Sequence, residues 1–290
     1  MSSRSVSRRA VLGSAAATLA SLISRSVDAD AADGWVARYP EIADRVRARG
    51  VLMLHLLVPL CHEDQIACGG MRAGDPDDLA HNLYWGAVFG HDRFLSRKAS
   101  KMRRIGGAAA DGHRLARATF SQSFDGAAFG RATPFDLVIV LDAHHGDAID
   151  DVIDRFFVEA EQGANVSFSD ASGARVLPVD VVGYAGHNRM LDGKVAPPQA
   201  PEARRHPIPS FVLACRSHQT FAAPLASRGS RLLVAARDLM APEGYVVEAI
   251  ALGLVRNESA ASLRRRAVNA YAKWQSIEPA VAGTIFAPAS

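Results

Sequence analysis

Two short apolar runs, each ending on a reactive side chain, constrain this sequence more than any other feature. Between residues 176 and 219 the chain reads VLPVDVVGYAGHN, then a polar run rich in proline, then PSFVLACRSHQ. The first run ends at His187 and the second at Cys215. Valine-rich runs of this length, bounded by glycine and proline, read as buried strands of a parallel sheet. In open α/β sheets the carboxyl ends of the strands form the ligand crevice, so neighbouring strands ending in histidine and cysteine set a base beside a thiol. Those are the parts of an activated cysteine nucleophile. Each residue also has a plainer reading: Cys215 as a small buried hydrophobe, and Gly186-His187-Asn188 as a hydrogen-bonded turn.

The rest of the chain supplies a sheet and its helices. With 290 residues, 49% of them hydrophobic, there is enough apolar surface for the core of one large α/β domain. Residues 51–60, VLMLHLLVPL, read as the first central strand and residues 135–141, FDLVIVL, as the second. A helix is expected over 35–49, with Val36, Tyr39, Ile42 and Val46 at helical spacing and Gly50 as its stop. Another is expected from Asp75 to Gly90, with Pro76 in its first turn. Asp147 reads as the cap of a third, whose Val152, Ile153, Phe156 and Phe157 share a face. A further strand over 231–235 precedes helices over 241–255 and 258–275. Residues 105–133 read as an irregular connection, and 191–209, with Pro197, Pro198, Pro201 and Pro207, as a surface crossover. No phosphate loop, dinucleotide fingerprint or Gly-x-Ser-x-Gly elbow occurs, so no cofactor is expected.

The amino terminus stands apart from that core. Arg8 and Arg9 precede a weakly apolar run over 11–23, and Ala29-Asp30-Ala31 offers the small residues of a cleavage site. Residues 1–31 resemble a twin-arginine signal peptide, which implies passage through that export machinery and a periplasmic or secreted product of residues 32–290. The run is too short and too polar to span a bilayer, and no later segment approaches eighteen consecutive apolar residues, so the mature chain is expected to hold no membrane span. Residues 1–31 carry four arginines against two aspartates, so the net charge of +3 falls to about +1 on cleavage. That balance gives no reason to expect a nucleic-acid partner, and the one dense basic run, residues 93–104, reads as a solvated face. Three cysteines leave an odd count: Cys61 and Cys68 are close enough in sequence to pair, which would leave Cys215 a free thiol.

Carboxylates cluster where the first two strands end. Glu63 and Asp64 follow the first strand and Asp142 the second, so all three are candidates to line the crevice and select basic side chains by charge. Asp142, His144, His145 and Asp147 have metal-compatible ligand types. Without a third separated ligand cluster they read as a strand-to-helix turn with capping acids, and no metal site is expected.

The order of strand, helix, strand, helix, strand ending in His, crossover and strand ending in Cys resembles the caspase-like cysteine peptidases, the group of caspases, legumains, gingipains and clostripain. The likeness covers roughly residues 51–255 and rests on the apolar blocks leading to His187 and to Ala214-Cys215-Arg216. It implies a three-layer α/β sandwich around a mostly parallel sheet, a peptide or protein substrate, His187 as base and Cys215 as nucleophile. Oxyanion donors would be the amides of Cys215 and of Gly186 or Asn188. The family usually places Gly after its His, whereas Gly186 here precedes it and Asn188 follows. Two other functions stay open beside a peptidase or amidohydrolase: an inactive exported binding or scaffold domain, and a metal-assisted hydrolase using His144 and His145.

Overall fold

The computed structural model describes residues 34–170, 173–193 and 206–288, so the expected signal peptide and most of the proline-rich crossover lie outside the described residues. Nine strands are present among them. Seven form one sheet in the order β2-β3-β4-β1-β7-β8-β9, from β1 (Val51–Pro59), β2 (Arg103–Ala108), β3 (Arg114–Phe124), β4 (Phe135–His144), β7 (Val181–Ala185), β8 (Ser210–Leu213) and β9 (Leu232–Ala235). β5 (Asn165–Asp170) and β6 (Gly173–Pro178) form a separate two-stranded ribbon.

From β4 to β9 every neighbouring pair is parallel, while β3 runs against both β2 and β4. The physical cause is burial on both faces: every residue of β1, β7, β8 and β9 is buried, and their sequences are accordingly apolar apart from His55 and Ser210, each of which has a buried hydrogen-bond partner. Each fully buried Leu, Val or Phe contributes roughly 1.5–3 kcal/mol relative to exposure.

Among the described residues seven α-helices flank the sheet: α1 (Pro40–Arg49), α2 (His91–Leu95), α3 (Ile149–Gln162), α4 (Ser217–Ser227), α5 (Gly244–Leu254), α6 (Ala260–Gln275) and α7 (Pro279–Ile285). The result is a three-layer α/β sandwich with a mostly parallel sheet. On one face Phe156 and Phe157 of α3 meet Tyr184 of β7 and Phe221 of α4 in a single aromatic cluster. α1 starts on Pro40 and stops at Gly50, whose φ of 67° is the left-handed conformation glycine adopts without steric cost.

Three expectations are corrected. Residues 75–90 form a chain of turns, because the Asp75 carboxylate takes the Asp77 amide and the buried Asn82 side chain bonds the Cys61 amide, the Cys61 carbonyl and the Asp75 carbonyl. The Asp75 bonds compete locally with helical ones, and the Asn82 bonds tie the segment to Cys61, 21 residues away. Residues 105–133 are not irregular, since most belong to β2 and β3, which extend the sheet. Asp147 does not cap α3: it sits in a 3₁₀ turn over Gly146–Ala148, and its amide donates to Nδ1 of His145.

Candidate active site

β1 lies between β4 and β7, so the chain moves to opposite sides of it, and the carboxyl edge at that reversal is the usual ligand position in such sheets. β7 and β8 are hydrogen-bonded parallel neighbours, with Ala185 registered on Leu213. His187 and Cys215 each stand two residues beyond that pair. Residues 181–186 and 208–214 are all buried, and His187 and Cys215 are the first in each run to reach solvent.

Several bonds fix the His187 turn. The Tyr184 hydroxyl donates to the His187 carbonyl at 2.6 Å, and Arg189 forks onto Asp150 in the first turn of α3, at 3.0 and 3.2 Å. Nε2 of His187 lies 2.9 Å from Oδ2 of Asp192. Asn188 is fully buried, and its Nδ2 donates to the Cys215 carbonyl at 2.7 Å and to the Thr220 hydroxyl at 3.0 Å.

Cys215 opens the turn into α4. Arg216 takes a left-handed φ of 50°, unusual for a side chain with a Cβ, and its amide donates to the Asp238 carbonyl. The buried Ser217 hydroxyl donates to the Val212 carbonyl and accepts from the Ala236 amide, which locks the turn against β9. The Cys215 thiol faces the backbone of Met240, donating to its carbonyl at 3.5 Å and accepting from its amide at 3.4 Å. Among the described residues no hydrogen bond joins His187 to Cys215. The phenols of Tyr84 and Tyr271 are raised, by burial first and also by the nearby Glu243 carboxylate.

The remaining candidates are scattered. The Gly186 amide is taken by the Leu213 carbonyl, so it is not available as an oxyanion donor. Glu63 accepts from the Cys68 amide inside the loop closed by the Cys61–Cys68 disulfide. Asp64 is largely exposed. Asp142 does not reach the crevice, because it lies within β4, fully buried, where Arg117 donates to both its oxygens at 2.6 and 2.5 Å.

Asp142 belongs instead to a buried ionic chain that motif reading missed. His55 lies 3.0 Å from Asp142 through Nε2 and 2.7 Å from Glu159 through Nδ1, while Arg155 donates to Glu159 at 2.8 Å. Burial disfavours a charged imidazole here, yet the two carboxylates prevail and push His55 up to about 9. Asp142 is held well below the usual carboxylate range by Arg117 and His55 against its own burial, and Glu159 is lowered likewise by His55.

Among the described residues no three His, Cys, Asp or Glu side chains are placed to share a metal ion, and no helix is long and apolar enough to cross a membrane. The fold and this edge define an α/β protein with a histidine and a cysteine at adjacent strand ends. The chain matches no protein-family model, no curated protein and no solved structure.

Proposed function

We propose that this protein is an exported cysteine-dependent peptidase or amidohydrolase, a diverged relative of the caspase-like peptidases, with Cys215 as nucleophile and His187 as base. One observation carries the reading: in two buried, register-matched parallel strands, the first residues to emerge at the shared edge are an imidazole and a thiol. Asp192 on Nε2 of His187 supplies the orienting partner that such a base requires. Catalytic hydrogen bonds are often long in free enzymes and tighten on the substrate, which accommodates the separate bonding of the two groups here.

The chemistry follows. His187 takes the thiol proton as Sγ attacks the substrate carbonyl carbon, and the resulting oxyanion is met by backbone amides, those of Cys215 and Asn188 being the candidates left once Gly186 is spent. The C–N bond breaks, His187 returns its proton to the leaving amine, and a thioester remains on Cys215. Water, deprotonated by His187, attacks that thioester and releases the acid and the thiol. The Cys61–Cys68 disulfide supports an oxidising destination.

Hydrolysis of a mixed peptide library by the chain without its first 31 residues tests the assignment. Cleavage that is lost in Cys215→Ala and reduced about 10²- to 10⁴-fold in His187→Ala is expected. The thiol's two contacts with Met240 favour a second reading, a binding domain in which Cys215 is structural. Cleavage unchanged in Cys215→Ala, or none in the wild type, would favour it.

A further inference from the structure

On the far side of β1 from Cys215, the end of β4, the start of β3 and the first turn of α3 line an open pocket of about 220 Å³, walled by His113, Arg114, His144, Asp151, Val152 and Arg155. At ~30 Å³ per water molecule this has room for a small solute. Its inner wall is unusual. His144 is 6% exposed and its Nε2 has no hydrogen-bond partner; the buried Nε of Arg114 also has none. Buried polar atoms in native proteins are almost always paired with protein, water or an ion, so two orphans in one pocket wall point to a guest.

The charges select the guest. Arg114, Arg155 and the protonated His55 all act on the His144 ring, opposed by Asp142. Burial is the leading cause that holds His144 down at about 4, and these three cations add to it, so the imidazole in the wall is neutral. Asp111 and Asp151 are exposed at the rim, Asp111 lies 3.5 Å from a terminal nitrogen of Arg114, and Arg155 is paired with Glu159 at 2.8 Å, which leaves the Nε of Arg114 as the cationic donor without a partner. The opening turn of the 14-residue α3 adds partial positive charge from its amides.

We infer that this pocket is a binding site for a small oxyanion, a carboxylate or a phosphate, held by Arg114 and His144. The guanidinium Nε–H of Arg114 would donate to one oxygen and the neutral His144 ring to another, pairing both orphans at once. The site makes no use of Cys215 or His187.

Titration of the folded chain with inorganic phosphate and with acetate, at ionic strength matched with sodium chloride, tests the site. One of the two should raise Tm saturably and shift the His144 ring resonances in ¹H–¹⁵N spectra, identifying which source the site prefers. Arg114→Gln should weaken that binding about tenfold or more while the alkylation rate of Cys215 stays unchanged. His144→Gln provides a second variant should Arg114→Gln fail to fold, with the same weakening expected. A Tm rise reproduced by sodium chloride alone, or no saturable response with the His144 resonances fixed, would overturn the site.

Discussion

Asn188 donates from Nδ2 to the carbonyl of Cys215 at 2.7 Å, across 27 residues of sequence, and so ties the turn that carries His187 to the turn that carries Cys215. The same amide reaches Thr220 in α4, so one side chain links the two turns and the helix. Residue 188 follows the expected base directly, yet its side chain faces inward. Asn188→Ala should cost about 1–3 kcal/mol by leaving a buried carbonyl unpaired, read by urea unfolding. It should also lower turnover although neither reactive group has been touched. Unchanged stability would remove Asn188 from this role.

Asp192 is a positioning residue. Asp192→Asn should lower turnover about 10- to 100-fold and alter the pH–rate profile, because the ring loses the partner on Nε2. Asp192→Glu should restore part of the rate, whereas a structural role would leave the profile unmoved. Stability should hardly change in either variant, since the carboxylate is 31% exposed.

The buried chain of Arg117, Asp142, His55, Glu159 and Arg155 makes stability depend on pH. The folded state holds the His55 proton up to about 9, above the ordinary 6.5, so its contribution is complete below about 6.5 and is lost as pH rises through about 9. Asp142 and Glu159, both lowered, contribute above their ordinary range and lose that contribution in acid. Unfolding free energy should therefore fall between pH 6.5 and 9, and His55→Leu should abolish that fall while costing about 3–5 kcal/mol by removing the cation that two buried carboxylates share. A flat profile for the wild type over that interval would contradict a protonated His55.

Export and oxidation should go together. Replacing Arg8 and Arg9 with lysine should leave a cytoplasmic precursor, because the twin-arginine route reads the guanidinium pair. Protein recovered from the export compartment should carry the Cys61–Cys68 disulfide and show a single alkylatable thiol before reduction. Normal export of the double variant would end the twin-arginine assignment.

What the sequence made legible is the two-sided burial of the central strands. Residues 51–59, 135–141, 181–185 and 232–235 are apolar because both faces are covered, and such runs permit little besides a parallel sheet. β2 and β3 were hidden because β2 is an exposed edge with two glycines, one of which, Gly106, has no room for a Cβ beside the Ser169 carbonyl. The helix expected at 75–90 fails for a long-range reason, the grip of Asn82 on both backbone groups of Cys61, which no local pattern encodes. His55 and Asp142 did leave a signal: a charged or polar residue inside an apolar strand must have a buried partner. Its identity, Glu159 for one and Arg117 for the other, comes only from the packing of α3 on the sheet and the register of β3 on β4. Nothing in the sequence marks Asp192, five residues beyond its histidine, as the group that meets Nε2.

The most direct test of the central claim is the rate at which iodoacetamide alkylates Cys215 in the folded chain, followed by mass spectrometry in the wild type and in His187→Ala. If the two residues act as base and nucleophile, the wild-type thiol should react at least about tenfold faster near neutral pH than it does in the variant, since the thiolate is the reacting species and His187 is its proton acceptor. Equal, slow alkylation in both proteins would mean that Met240 holds a structural thiol, and the peptidase assignment would fall.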